Sequence, residues 1–210
     1  MFIDIGYFAL LASCGLMLYA IFALALGIKY DKSELMLSAK ISFIAKFLLI
    51  ALAFASLTYS FIVDDFSIQF VANHSSTDLP VFYKVTAVWG GMEGSLLLWE
   101  LILSFFTVCV IINYHKINRD ILPYSLIILG VISLFLLFLL VGWSNPLLRI
   151  FPVPSEGRGL NPLLQNPGMI YHPPSLYLGY VGFSIPFAFA IGSLLRGKLD
   201  NQWILSTRRW

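Results

Sequence analysis

Long runs of apolar side chains, separated by short polar stretches, fill this chain from end to end. A membrane-crossing helix needs about 20 such residues, because a rise of ~1.5 Å per residue must cover ~30 Å of hydrocarbon. By that measure five segments read as spans: 5–28, 41–63, 94–112, 121–141 and 175–195. The fourth is the cleanest, with Gly130 and Ser133 the interruptions among large apolar residues over 126–141. No Lys or Arg precedes the first span, and its apolar run is too long for a signal core, so it reads as a permanent helix. The pattern predicts an all-α, polytopic transmembrane bundle forming a single membrane domain over residues 1–210.

Composition agrees. Hydrophobic residues make up 59% of the chain and charged ones 11%, against roughly 25% charged in soluble domains. No soluble core of this length hides so much apolar surface, so membrane lipid is the solvent for most of it. The net charge of +2 carries little information until its placement is read. One set of loops holds Lys29, Lys32, Lys40, Lys116, Arg119, Arg196, Lys198, Arg208 and Arg209, and the other holds Lys84, Arg149 and Arg158. The positive-inside rule then places the N-terminus outside and the C-terminus inside. Lys46 is expected to snorkel from the inner end of the second span. No basic stretch interleaves with aromatics in a soluble segment, which argues against nucleic acid as a partner. Cys14 and Cys109 sit inside apolar runs without C-x-x-C or zinc spacing and read as buried small hydrophobes.

Two outer segments remain, about 64–93 and 142–172, and they hold His74 and His172, while His115 falls inside. Any chemistry is therefore expected on the outer face. Tyr171-His172-Pro173-Pro174 precedes the fifth span. A residue before proline is pushed toward extended backbone, and proline suits a first helical turn, so His172 is expected at the outer mouth of that helix. The helix dipole there disfavours imidazolium, and neutral imidazole is the form that binds haem iron. The bland alternative is an interfacial histidine that shapes the loop. Upstream, 157–168 is rich in Gly, Pro and Asn and reads as an ordered, irregular lip or a plain connector.

In the other outer segment, Trp89, Gly90, Gly91 and Glu93 open the third span. Glu93 there serves the helix dipole or a site. Glu100, two turns further in, is costly at that depth and faces protein or a pathway, or sits protonated and inert. His74 lies in a chance-length sequon and carries little weight as a ligand. P-loop, G-x-G-x-x-G, G-x-S-x-G and H-E-x-x-H signatures are all missing.

Two blocks, YKVTAVWGGMEGSLLLW at 83–99 and GLNPLLQNPGMIYHPPSLYLGYVGFSIPFAFA at 159–190, resemble the CcmF/NrfE family of haem lyases in cytochrome c maturation. The resemblance extends over essentially the whole chain and corresponds to the N-terminal part of such proteins. It implies receipt of haem b from the haem carrier CcmE at the outer face. With the thioredoxin-like subunit CcmH, the haem is then attached covalently to apocytochrome c, becoming haem c. It also implies that His172, in the H-P-P motif, is a haem axial ligand, with Trp89, Gly90, Gly91, Glu93, Pro173 and Pro174 as supporting outer-face residues and any metal contact made through haem iron alone. No catalytic residue is assigned.

The tryptophan-rich WWD segment, the second outer histidine and an intramembrane histidine pair for a permanent haem b would follow Trp210. The chain is thus expected to be a fragment or one product of a split gene, partnered by a missing C-terminal half. Alone it is expected to bind haem poorly. Companion helices from that half are expected against small residues such as Gly179 and Gly182. Met92 stands where histidine is commoner in the family, and Glu100 is unusual for it. The membrane is expected to be the bacterial inner membrane, or the mitochondrial inner membrane for a plant-type split gene. Two other readings stand beside this one: a transporter or channel subunit, suggested by Glu100 and Pro186, and a non-catalytic scaffold.

Overall fold

The second helix begins at Ser33, eight residues before the apolar run that announced it, because the mixed stretch 33–40 (SELMLSAK) is helical without extending that run. This computed structural model describes residues 2–114, 120–197, 202–208 and 210. His115, Lys116, Arg119, Lys198 and Arg209 lie outside the described residues. Among those described, the elements are α1 (Phe2–Lys29), α2 (Ser33–Ile62), α3 (Gln69–His74), α4 (Val81–Ala87), α5 (Met92–Tyr114) and α6 (Leu122–Gly142). After a 3-10 turn at Pro162–Leu164 come α7 (Gly168–Gly182), α8 (Ser184–Arg196) and α9 (Gln202–Thr207). No strand forms among the described residues, where Ile68 and Arg149 make an isolated antiparallel β-bridge.

Five helical stretches are long and apolar enough to cross a membrane: α1, α2, α5, α6 and Gly168–Arg196, which comprises α7 and α8. The fifth span is interrupted at Phe183 for a local reason. Pro186 has no N–H for the Gly182 carbonyl, and its ring crowds that carbonyl, so the helix breaks one turn earlier. Packing is centred on α1 and α2, whose Leu10, Met17, Leu24, Phe43, Ile50 and Leu57 are buried, while α6 packs on α1, α5 on α2, and α8 against α6. In lipid this packing acts through dispersion and polar contacts between helices. Gly179 meets nothing within 4 Å, and Gly182 meets the Phe106 ring edge at 4.0 Å, so neither serves a close helix contact inside this chain.

The two segments between α2 and α5 and between α6 and α7 fold together as a cap on one end of the bundle. Gln69 N donates to Leu148 O at 2.9 Å, Ile150 N to Ser67 O at 2.9 Å, and Arg158 N to Ala72 O at 2.8 Å. Asp64, whose carboxylate lies 2.5 Å from the buried Lys84 ammonium, ties α4 to the end of α2 within the cap. On the outside, Glu156 accepts from the Thr77 hydroxyl at 2.7 Å and the Thr77 amide at 2.9 Å. These bonds, with one from the Gly157 amide, hold the Glu156 carboxyl below its ordinary range. Arg149 grips Asp4 with two guanidinium nitrogens, tying the cap to the start of α1. The start of α1 and the cap thus share one end, while Arg196 pairs with Asp120 at the uncapped end.

Candidate functional site

Trp89, Gly90 and Gly91 form the corner between α4 and α5, and Glu93 lies in the first turn of α5. The corner is tight. Gly90 N donates to Ala87 O at 2.8 Å, and Ser95 Oγ donates to Trp89 O at 3.0 Å. A Cβ on Gly94 would lie 1.6 Å from the Val88 carbonyl oxygen. A Cβ on Gly91 would strike the Phe70 ring at 2.7 Å and His74 Nε2 at 2.9 Å, with Glu93 Oε2 at 3.2 Å. Glycine is therefore required at both positions.

His172 is helical, which corrects the extended conformation expected before proline. α7 starts at Gly168, so Pro173 and Pro174 are its sixth and seventh residues. Each removes an amide that an uninterrupted helix would use: Pro173 leaves the Met169 carbonyl unpaired, and Pro174 leaves that of Ile170. The Trp89 indole N–H fills the first vacancy, donating to Met169 O at 2.9 Å. Next to lipid a lost helical bond has to be replaced, and a side chain from a neighbouring element does so here. The two sequence blocks meet at two further points. Leu160 packs within 3.2 Å of the Gly90 Cβ position, and the Trp99 and Tyr177 rings stand 6.1 Å apart.

His172 itself is exposed, as is Tyr171 beside it, and Met92 and Leu163 are exposed as well. Pro173 and Pro174 are half-buried. His74 carries more than its sequence context indicated. Its Nδ1 faces Phe70 O at 3.0 Å, and its ring stacks on Phe70 with centroids 4.5 Å apart. A carbonyl only accepts, so the proton sits on Nδ1 and Nε2 is left toward Gly91. Trp89→Phe tests the clamp. It keeps the ring and leaves Met169 O without a donor, and it is expected to cost about 1–3 kcal/mol. Faster proteolysis in 157–170, at unchanged membrane insertion, is the check.

Lys46 overturns an expectation. It does not snorkel: it is 1% exposed and donates to Glu100 Oε1 at 2.6 Å and to Ser133 Oγ at 2.8 Å. Its 30-residue helix starts at Ser33, so Lys46 sits roughly 20 Å along it, near the middle of the helix rather than at an end. Glu100 also accepts from Ser133 at 2.7 Å. No sequence pattern links residues 54 positions apart, although an acid and a base each buried in an apolar run invite pairing.

An all-helical bundle of five spans with a folded cap at one end is a polytopic membrane protein. The Cytochrome C assembly protein family matches residues 89–209, from the Trp89 corner onward, and the chain belongs to that family. It is 49% identical over 186 residues to the cytochrome c-type biogenesis protein CcmF of Escherichia coli (strain K12), covering 88% of this chain and 29% of that protein. CcmF of Haemophilus influenzae is 44% identical over all of this chain and 33% of its own length. The probable cytochrome c-type biogenesis protein NrfE of Escherichia coli (strain K12) is 44% identical over 88% of this chain and 33% of its own. A solved structure, cytochrome c heme lyase CcmF, superposes with a TM-score of 0.85 at 25% identity, over 99% of this chain and 33% of that one. The chain spans about a third of the length of the curated relatives it matches.

Proposed function

We propose that this chain is a haem-handling component of cytochrome c maturation. It takes part in receiving haem at the outer face and in its covalent attachment to apocytochrome c. The observation that carries this reading is the joining of the 83–99 and 159–190 blocks through Trp89 and Met169, which sets His172 on a rigid, exposed helical turn. Haem b is the substrate, delivered by CcmE and leaving as haem c, with CcmH and the remaining part of a CcmF-like protein as partners. The cap is the outer face, so the N-terminus lies outside and the C-terminus inside, in the bacterial inner membrane or its mitochondrial equivalent.

The residues suit such a substrate. No described side chain holds His172 by a hydrogen bond, so its imidazole is available to iron, and exposed Tyr171, Met92 and Leu163 offer apolar surface to a porphyrin. Glu93, Gly90 and Gly91 act by shaping the corner that carries Trp89, and Pro173 and Pro174 by opening the carbonyl that Trp89 holds. His172→Ala, expressed with the complete maturation system, is expected to abolish haem-stained c-type cytochrome while the protein still inserts. Unchanged staining would reduce His172 to a loop-shaping residue and favour the scaffold reading.

A further inference from the structure

Where the start of α1 meets the segment after α6, a cleft of about 230 Å³ is lined by Asp4, Tyr7, Phe8, Leu147, Leu148 and Arg149. None of these residues belongs to the His172 site. The polar wall of the cleft is the ion pair that joins the cap to α1, with Arg149 Nε and Nη2 donating to Asp4 Oδ1 at 3.2 and 2.8 Å. The two side chains stay 49% and 47% exposed, so both charges are within reach of a ligand. Arg149 Nη1 carries two N–H bonds and makes one long contact, to the Ser67 hydroxyl at 3.4 Å. A guanidinium with a donor to spare and a carboxylate therefore share one small opening.

The rest of the lining is apolar, and it runs on into the membrane. Phe8 lies one turn below Asp4, and Leu11, Gly15, Leu18 and Phe22 follow on the same helical face at spacings of three and four. All five are exposed, and nothing stands within 4 Å of where a Gly15 Cβ would be, so the stripe is notched at its middle. From Phe8 to Phe22 it extends about 20 Å, enough to cover one leaflet's ~15 Å of hydrocarbon. Two features set the level of the cleft. Asp4 stands where the apolar run of α1 begins, and Trp143, five residues before Leu148, ends α6 as an exposed aromatic packed edge-on against Phe138. Such aromatics mark the membrane–water boundary.

From this geometry we infer that the cleft binds one phospholipid with a phosphoethanolamine headgroup, in the leaflet on the capped side. The phosphate takes Arg149 Nη1, the primary ammonium takes the Asp4 carboxylate, and an acyl chain lies along the Phe8–Phe22 stripe. Charge sets the choice of headgroup. A phosphoglycerol headgroup pairs with Arg149 but brings no cation to Asp4, and a choline headgroup brings a cation without N–H groups for the carboxylate to accept. The bound lipid adds a tie between α1 and the cap.

The test is native mass spectrometry of the whole chain, released from detergent after titration with phosphatidylethanolamine, phosphatidylcholine or phosphatidylglycerol of matched acyl chains. One phosphatidylethanolamine is expected to be retained at about a tenth of the concentration that the other two require. Arg149→Gln is expected to raise that concentration about tenfold, the scale of one charge-assisted hydrogen bond. Arg158→Gln, at an exposed cap arginine outside the cleft, is expected to leave it unchanged. Soluble phosphoethanolamine in excess is expected not to displace the lipid, and displacement would mean that the cleft takes a polar small molecule instead. Should Arg149→Gln fail to insert, wild-type protein in vesicles holding a phosphatidylethanolamine with a photoreactive acyl chain gives the reading. Cross-links are then expected on α1 between Phe8 and Phe22. Equal retention of the three lipids, unchanged retention by Arg149→Gln, or cross-links spread evenly over the spans overturns the proposal.

Discussion

Lys46→Met, with Glu100 left in place, is expected to destabilise the folded protein by about 3–5 kcal/mol, because it strands a buried carboxylate without its counter-charge. The pair is closed on all sides: 1% and 0% of the two side chains are exposed, so water cannot compensate. Glu100→Leu alone is expected to cost a similar amount by stranding the ammonium. Replacing both together removes the desolvation penalty along with the attraction, and the double variant is expected to return most of the loss. Heating each variant in detergent and recording the monodisperse fraction would show the pattern. If the double variant is as poor as either single one, the loss arises from side-chain shape, not charge.

Gly94→Val is expected to have the second large effect. The added Cβ has no position that avoids the Val88 carbonyl, 1.6 Å away, and both partners are backbone or fixed to it, so no rotamer relieves the clash. The corner has to open, and opening it draws Trp89 away from Met169 O. A cost of about 3 kcal/mol from overpacking alone is the expected scale. Since α5 is anchored deep in the bundle, the damage falls on the cap and on α7. Cleavage by an added protease within 75–92, at normal membrane abundance, is the expected signature. A cap as resistant as the wild type's would mean that the α4–α5 corner is softer than its geometry implies.

The spans were legible because membrane-crossing helices announce themselves through length and apolarity alone. The predicted 94–112 and 121–141 lie within two residues of α5 and α6 at each end. What hydropathy does not register is helix beyond the hydrocarbon, hence the missed start of α2 and the missed α3, α4 and α9. The His172 neighbourhood was half legible. Residue types and the H-P-P spacing pointed to it, but the local rule that residues before proline avoid helix yielded to a longer-range contact from Trp89. Lys46 was misplaced because its depth depends on where α2 starts and its environment on Glu100. Neither can be read from its neighbours in sequence.

The Lys46–Glu100 contact also sets a problem of timing during synthesis. The two residues are 54 positions apart, so Lys46 emerges well before its partner exists. At ~5–20 residues per second that interval is roughly three to ten seconds. A lone lysine at the centre of a membrane helix costs about 2.5–3.5 kcal/mol on the insertion scale. Throughout the interval α2 carries that cost uncompensated, until α5 arrives to receive the charge. The second helix therefore reaches its full stability in the membrane only once α5 has joined it.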